Sequence, residues 1–125
     1  MTNITIIDTG CANLSSVKFA FDRLGYNTEI TFDLNKIKSA DKLILPGVGT
    51  ANAAMYNLQE RQLIETIQNL TQPVLGICLG MQLMTEFSEE GNVPTLNLIS
   101  GKTNRIPDTG LPLPQMGWNR VQFVK

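Results

Sequence analysis

The chain has 125 residues, ten Lys and Arg against eleven Asp and Glu, a net charge of −1, two cysteines and no histidine. That length bounds it to one domain or a piece of one, able to bury roughly two-thirds of its unfolded surface. Scattered charge leaves no nucleic-acid footprint, no apolar stretch reaches membrane-spanning length, and two cysteines without histidine suit neither a disulfide framework nor a metal site, so a reducing, cytoplasmic setting is expected.

Ile4–Ile7 is a short β-branched run and predicts a strand. A turn follows at Asp8-Thr9-Gly10-Cys11-Ala12-Asn13, then a helix with Leu14, Val17, Ala20, Phe21 and Leu24 on one face. Asn13 or Ser15 caps its start, and Gly25 stops it. Thr28–Phe32 predicts a second strand, and Asp33 to Ile37 a short capped helix. Lys42–Leu45 is the third strand, ending in Pro46-Gly47-Val48-Gly49, which is too rich in Gly and Pro for regular structure. Thr50 opens a helical region in two pieces, with Met55 and Leu58 in the first and Leu63, Ile64, Ile67 and Leu70 in the second. Val74–Ile77 predicts a fourth strand and Leu79–Phe87 a helix, with Met81 and Met84 turned to the core and Glu89-Glu90 a solvated end. After Gly91 the pattern changes. Leu96–Ile99, Thr103–Ile106 and Arg120–Val124 are short runs between Gly and Pro, read as strands or irregular turns.

Strand and helix alternate four times, which predicts an α/β fold: a parallel open sheet with helices on both faces. Ligands of such sheets bind at the carboxyl ends of the strands. Three glycine-bearing loops converge there: Gly10 to Asn13, Gly47 to Gly49, and Gly76-Ile77-Cys78-Leu79-Gly80. The last is the thiol version of the strand-turn-helix nucleophile elbow, whose glycines leave room for a sharp turn. Cys78 then stands at a strand tip and a helix N-terminus, where free N–H groups and partial positive charge favour a thiolate. Acyl transfer also needs an oxyanion site and a proton carrier. The Leu79 N–H is one oxyanion donor, and the Gly47-Val48-Gly49 segment suits a second, worth about 2.7–4 kcal/mol of barrier. No histidine is present to carry the proton. Either the chain is not an enzyme, or the base lies outside these residues.

Gly76-Ile77-Cys78-Leu79-Gly80-Met81-Gln82 resembles the cysteine elbow of the triad-type, class I glutamine amidotransferases, and Pro46-Gly47-Val48-Gly49 resembles that family's oxyanion strand. Asp8 to Leu14 with Ser16-Val17, and Pro114-Gln115-Met116-Gly117-Trp118-Asn119, are similar to the branch that feeds ammonia to a cyclase subunit in histidine biosynthesis. The resemblance implies a flavodoxin-like fold and hydrolysis of glutamine to glutamate and ammonia without a cofactor. It implies Cys78 as the thioester-forming nucleophile and the Val48 and Leu79 N–H groups, flanked by Gly47 and Gly49, as the oxyanion hole. Gln82 and Gly49 would contact glutamine, and Asn13 and Trp118 the cyclase partner of a heterodimer. For Trp118 a core position is the competing reading. The family has Gly at Ala12, which an L residue fills poorly if φ is positive, and His at Gln115. It also continues past Lys125 with the catalytic His and Glu. The expectation is a single incomplete domain, residues 1–125, inactive alone. The alternatives are a non-catalytic α/β module that keeps the elbow, or another cysteine-elbow enzyme of the related protease and chaperone superfamily, with Asp8 as the acid.

Overall fold

In a computed structural model that describes residues 2–124, the alternation expected from the sequence becomes a four-stranded sheet. The elements in order are β1 (Ile4–Ile7), α1 (Leu14–Arg23), β2 (Thr28–Thr31), α2 (Leu34–Ser39), β3 (Lys42–Gly47), α3 (Ala51–Glu60), α4 (Ile64–Gln68), β4 (Val74–Cys78) and α5 (Leu79–Leu83). Three two-residue strands follow: β5 (Phe87–Ser88), β6 (Val93–Pro94) and β7 (Lys102–Thr103). The main sheet runs β2-β1-β3-β4, every pair parallel, and a small sheet runs β6-β5-β7.

Period-2 alternation divides the main sheet into two faces. Ile4, Ile6 and Ile44 point to one, where Leu14, Val17 and Phe21 of α1 cover them. Ile7, Leu43 and Leu45 point to the other, where they meet Ile37 of α2, Leu58 of α3, Ile67 of α4 and Leu79 and Leu83 of α5. Side-chain caps start three helices. Asn13 Oδ1 accepts from the Ser16 N–H, Asp33 from Asn35 and Lys36, and Thr50 from Ala53. Gly25, at φ +85°, ends α1.

The expectations for Leu24, the end of the third strand, the end of α5 and Met81 need correction, and the runs after Gly91 mostly take the irregular form that the sequence leaves open. Leu24 is the C-cap of α1 and is exposed, because the helix ends before that turn returns to the sheet. The third strand does not stop at Leu45; Pro46 and Gly47 continue it against Ile77 and Cys78. Proline is tolerated there because pairing with β1 ends at Ile6↔Ile44, so Pro46 lies beyond the doubly paired stretch. The α5 helix stops at Leu83 rather than Phe87. Its last carbonyls are taken by a distant segment: Leu96 N–H donates to Leu83 O, Leu98 and Ile99 to Met84 O, and Asn97 to Thr85 O. That places Leu96–Ile99 against a helix end and not in a strand, and Met81 comes out exposed while Met84 packs on the core. Of Thr103–Ile106 only Thr103 is in a strand, and Arg120–Val124 has no regular structure as far as Val124.

Candidate functional site at the β4–α5 corner

Cys78 is the last residue of β4 and the N-cap of α5, with φ 56° and ψ −118°. A non-glycine residue at positive φ costs about 1–3 kcal/mol and persists only where its surroundings over-determine it. Here the surroundings are mostly main chain. A Cβ on Gly80 would lie 1.8 Å from the Leu45 carbonyl oxygen, and one on Gly76 would lie 2.7 Å from Met81 Cα and 2.6 Å from Met84 Sδ. A Cβ on Gly47 would lie 2.9 Å from the Gly80 nitrogen. Glycine at these three positions lets β3, β4 and the start of α5 stack backbone on backbone, and the only way through the corner is the conformation Cys78 adopts. Its thiol is free and exposed.

The expected oxyanion donors differ in state. Leu79 opens α5 with its side chain buried, and a first-turn N–H has no partner within the helix. Gly47 pairs with Cys78 across β3 and β4, which sets the Pro46–Gly49 segment beside the thiol. The Val48 N–H, however, donates to the Cys11 carbonyl oxygen at 2.7 Å. It is engaged by the β1–α1 loop and is not offered to a ligand at Cys78. Gly49, at φ +97° with open space around its α-carbon, is free to turn the peptide. The β1–α1 loop carries its left-handed residue at Gly10 (φ +78°), not at Ala12, so alanine is unstrained there.

Gln82, one helical turn past Cys78, is half-buried and lines a cavity of about 320 Å³ with Glu89, Glu90, Thr103, Asn104 and Arg105. Its carbonyl is tied down by the Thr85 hydroxyl at 2.7 Å and the Thr103 hydroxyl at 3.4 Å. Glu89 and Glu90 are exposed, as the sequence reading has them, and they also line this cavity because they follow β5 rather than α5. Only the turn through Gly91 and the β5–β7 pairing bring them back to α5, and no local pattern announces that. Asn13 spends its side chain on capping α1. Trp118, with Gln115, lies in the segment after β7 that has no regular structure, and it is fully exposed among the described residues. Among the described residues, no three His, Cys, Asp or Glu side chains cluster as metal ligands, and no helix is long and apolar enough to cross a membrane. A thiol, a helix-start N–H and one captive donor are thus assembled, without an imidazole anywhere in the chain.

Comparison with known proteins agrees with this geometry. The model of the family described as glutamine amidotransferase class-I matches residues 5–119. Imidazole glycerol phosphate synthase subunit HisH of Haemophilus influenzae is 99% identical over 125 residues, covering all of this chain and 63% of that protein. The subunits of the same name from Pasteurella multocida and Vibrio cholerae are 73% and 54% identical, over 99% and 96% of this chain and 63% and 62% of theirs. The chain thus spans somewhat under two-thirds of the length of these relatives.

Proposed function

The chain belongs to the class-I glutamine amidotransferase family, and on that footing we propose that it is the elbow-bearing part of the glutaminase subunit of imidazole glycerol phosphate synthase. The Cys78 thiolate attacks the carboxamide carbon of glutamine and forms a thioester. A base from outside these residues takes the thiol proton and its conjugate acid hands it to the leaving ammonia; the same base then deprotonates the water that releases glutamate. The tetrahedral oxyanion needs two N–H donors, Leu79 and Val48, so the Val48 N–H must first leave the Cys11 carbonyl. The cavity beside Gln82 suits the amino-acid end of the substrate: Glu89 and Glu90 offer charge to an ammonium, and Arg105 to a carboxylate. The ammonia passes to a cyclase subunit in a cytoplasmic heterodimer of histidine biosynthesis, with Asn13 and Trp118 on the partner-facing side. No cofactor takes part.

One observation carries this reading: a cysteine at φ 56° in a corner that glycines alone make possible. A buried structural thiol has no need of such a conformation. In the full-length subunit assembled with its cyclase, Cys78→Ser is expected to abolish product formation from glutamine while ammonium salts still support it. Glutamine-dependent turnover that survives the substitution would reduce the elbow to a structural turn and favour the non-catalytic module. The 125 residues alone, lacking imidazole, are expected to hydrolyse no glutamine above background.

A further inference from the structure

The α3 helix starts directly after the oxyanion segment and its far end reaches back to the same segment by another route. Arg61, which follows its last residue, donates from Nη1 to the Asp8 carbonyl oxygen at 2.8 Å and pairs with Asp8 Oδ1 at 3.0 Å. Asp8 Oδ1 also accepts the Gly10 N–H at 3.0 Å. The guanidinium lies 4.5 Å from the centroid of the Phe32 ring, which covers its face. A Cβ on Gly10 would sit 3.2 Å from Arg61 Nη2 and 3.3 Å from Asn57 Nδ2, so the loop lies flat on these two side chains. Asn57 Nδ2 in turn meets Cys11 Sγ at 2.9 Å. The free end of this assembly is the Cys11 carbonyl, which holds the Val48 N–H. The contacts form a closed ring: Val48 through α3 to Asn57 and Arg61, across to Asp8–Cys11, and back to Val48. The Arg61–Asp8 pair is mostly shielded from solvent, its side chains 28% and 24% exposed, so it is screened less than a surface pair.

We infer that Arg61, with Asn57 beside it, is a positioning residue for the oxyanion segment: it fixes the loop whose Cys11 carbonyl keeps the Val48 N–H captive. This role rests on the glutaminase reading, because only there does the Val48 N–H have a second use. Nothing in it requires Arg61 to touch the substrate. The prediction is directional. Loosening the loop releases the donor and raises hydrolysis in the resting enzyme.

The test uses the full-length subunit assembled with its cyclase. Arg61→Met keeps an apolar stem against Phe32 and removes both contacts with Asp8. Amide hydrogen exchange at Val48 is expected to accelerate about tenfold while the β1 and β3 amides stay protected. The kcat for glutamine hydrolysis without cyclase ligand is expected to rise several-fold at unchanged KM. Unchanged Val48 exchange, or a fall in kcat that tracks a lowered Tm, would overturn the inference. If Arg61→Met does not fold, Arg61→Lys is read in its place: it keeps the charge, loses the second contact, and is expected to give a smaller acceleration in the same direction. Unchanged Val48 exchange in Arg61→Lys overturns the inference equally. Val48 exchange needs no turnover and reports on Arg61 alone. Absence of Cys78-dependent hydrolysis in the unsubstituted complex strikes the glutaminase reading instead.

Discussion

The two inner strands of the sheet are buried along almost their whole length, whereas β4, which carries Cys78, is the least buried of the four. The register explains the contrast. Leu75 pairs with Ile44 and Ile77 with Pro46, so both lie on the face that α1 covers, one strand too far across for α1 to reach. Leu75 is 55% exposed and Ile77 37%. On the opposite face Gly76 admits α5 to backbone contact. The strand is thus overpacked by design on one side and bare on the other. A nucleophile at its tip gains rigid placement from the packed side.

Substitutions can break this comparison, and the largest effect belongs to the packed side. Gly80→Ala puts a methyl 1.8 Å from the Leu45 carbonyl oxygen, and strand and helix must separate. We expect a loss of about 3 kcal/mol or more in urea unfolding of the full-length subunit. Gly25→Ala, also at a glycine but with nothing near its α-carbon, is expected to cost only the left-handed conformation, about 1–2 kcal/mol. Equal losses would show that the corner has slack. Next come the two leucines. Leu45→Ala empties a fully buried site and is expected to cost about 2–5 kcal/mol, whereas Leu75→Ala is expected to cost under about 0.5 kcal/mol in the described chain. A large cost at Leu75 would mean that β4 is covered after all.

A smaller effect sharpens the account of how the sheet is framed. The Gln72 side-chain amide donates to the carbonyls of Ile37, Lys38 and Ala40 at 3.2, 3.3 and 3.0 Å, tying the end of α2 to the approach to β4. Gln72→Ala leaves those acceptors to solvent and is expected to cost about 1 kcal/mol, visible as a lowered Tm. Of similar size, Cys78→Gly should exceed Cys78→Ala in stability by about 1 kcal/mol, since glycine alone relaxes at φ 56°. Equal stabilities would mean that the corner stores no strain.

Much of this was legible in the residues. The β1 run, the capped helix at Asp33 and the helix start at Thr50 follow from local chemistry and stand where the sequence puts them, and of the two caps offered for α1 the structure uses Asn13. The elbow was legible because glycine spacing around a cysteine is itself a steric statement. What stayed hidden depends on chain far away. The end of α5 is set by donors from Leu96 to Ile99, and no window around Leu83 contains them. The bond from the Val48 N–H to Cys11 joins residues 37 positions apart, so glycines that read as a ready donor turn out to frame an occupied one. Glu89 and Glu90 are exposed as read, but only the pairing of β5 with β7 brings them round to Gln82.

Chemical capture of the thiol is the decisive measurement. A glutamine-like diazoketone should alkylate the full-length subunit once, and peptide mass mapping should place the adduct on Cys78, with glutamine slowing the labelling in proportion to its concentration. An adduct on Cys11, or labelling of Cys78 that glutamine does not slow, would contradict the claim that this corner holds a glutamine-directed nucleophile.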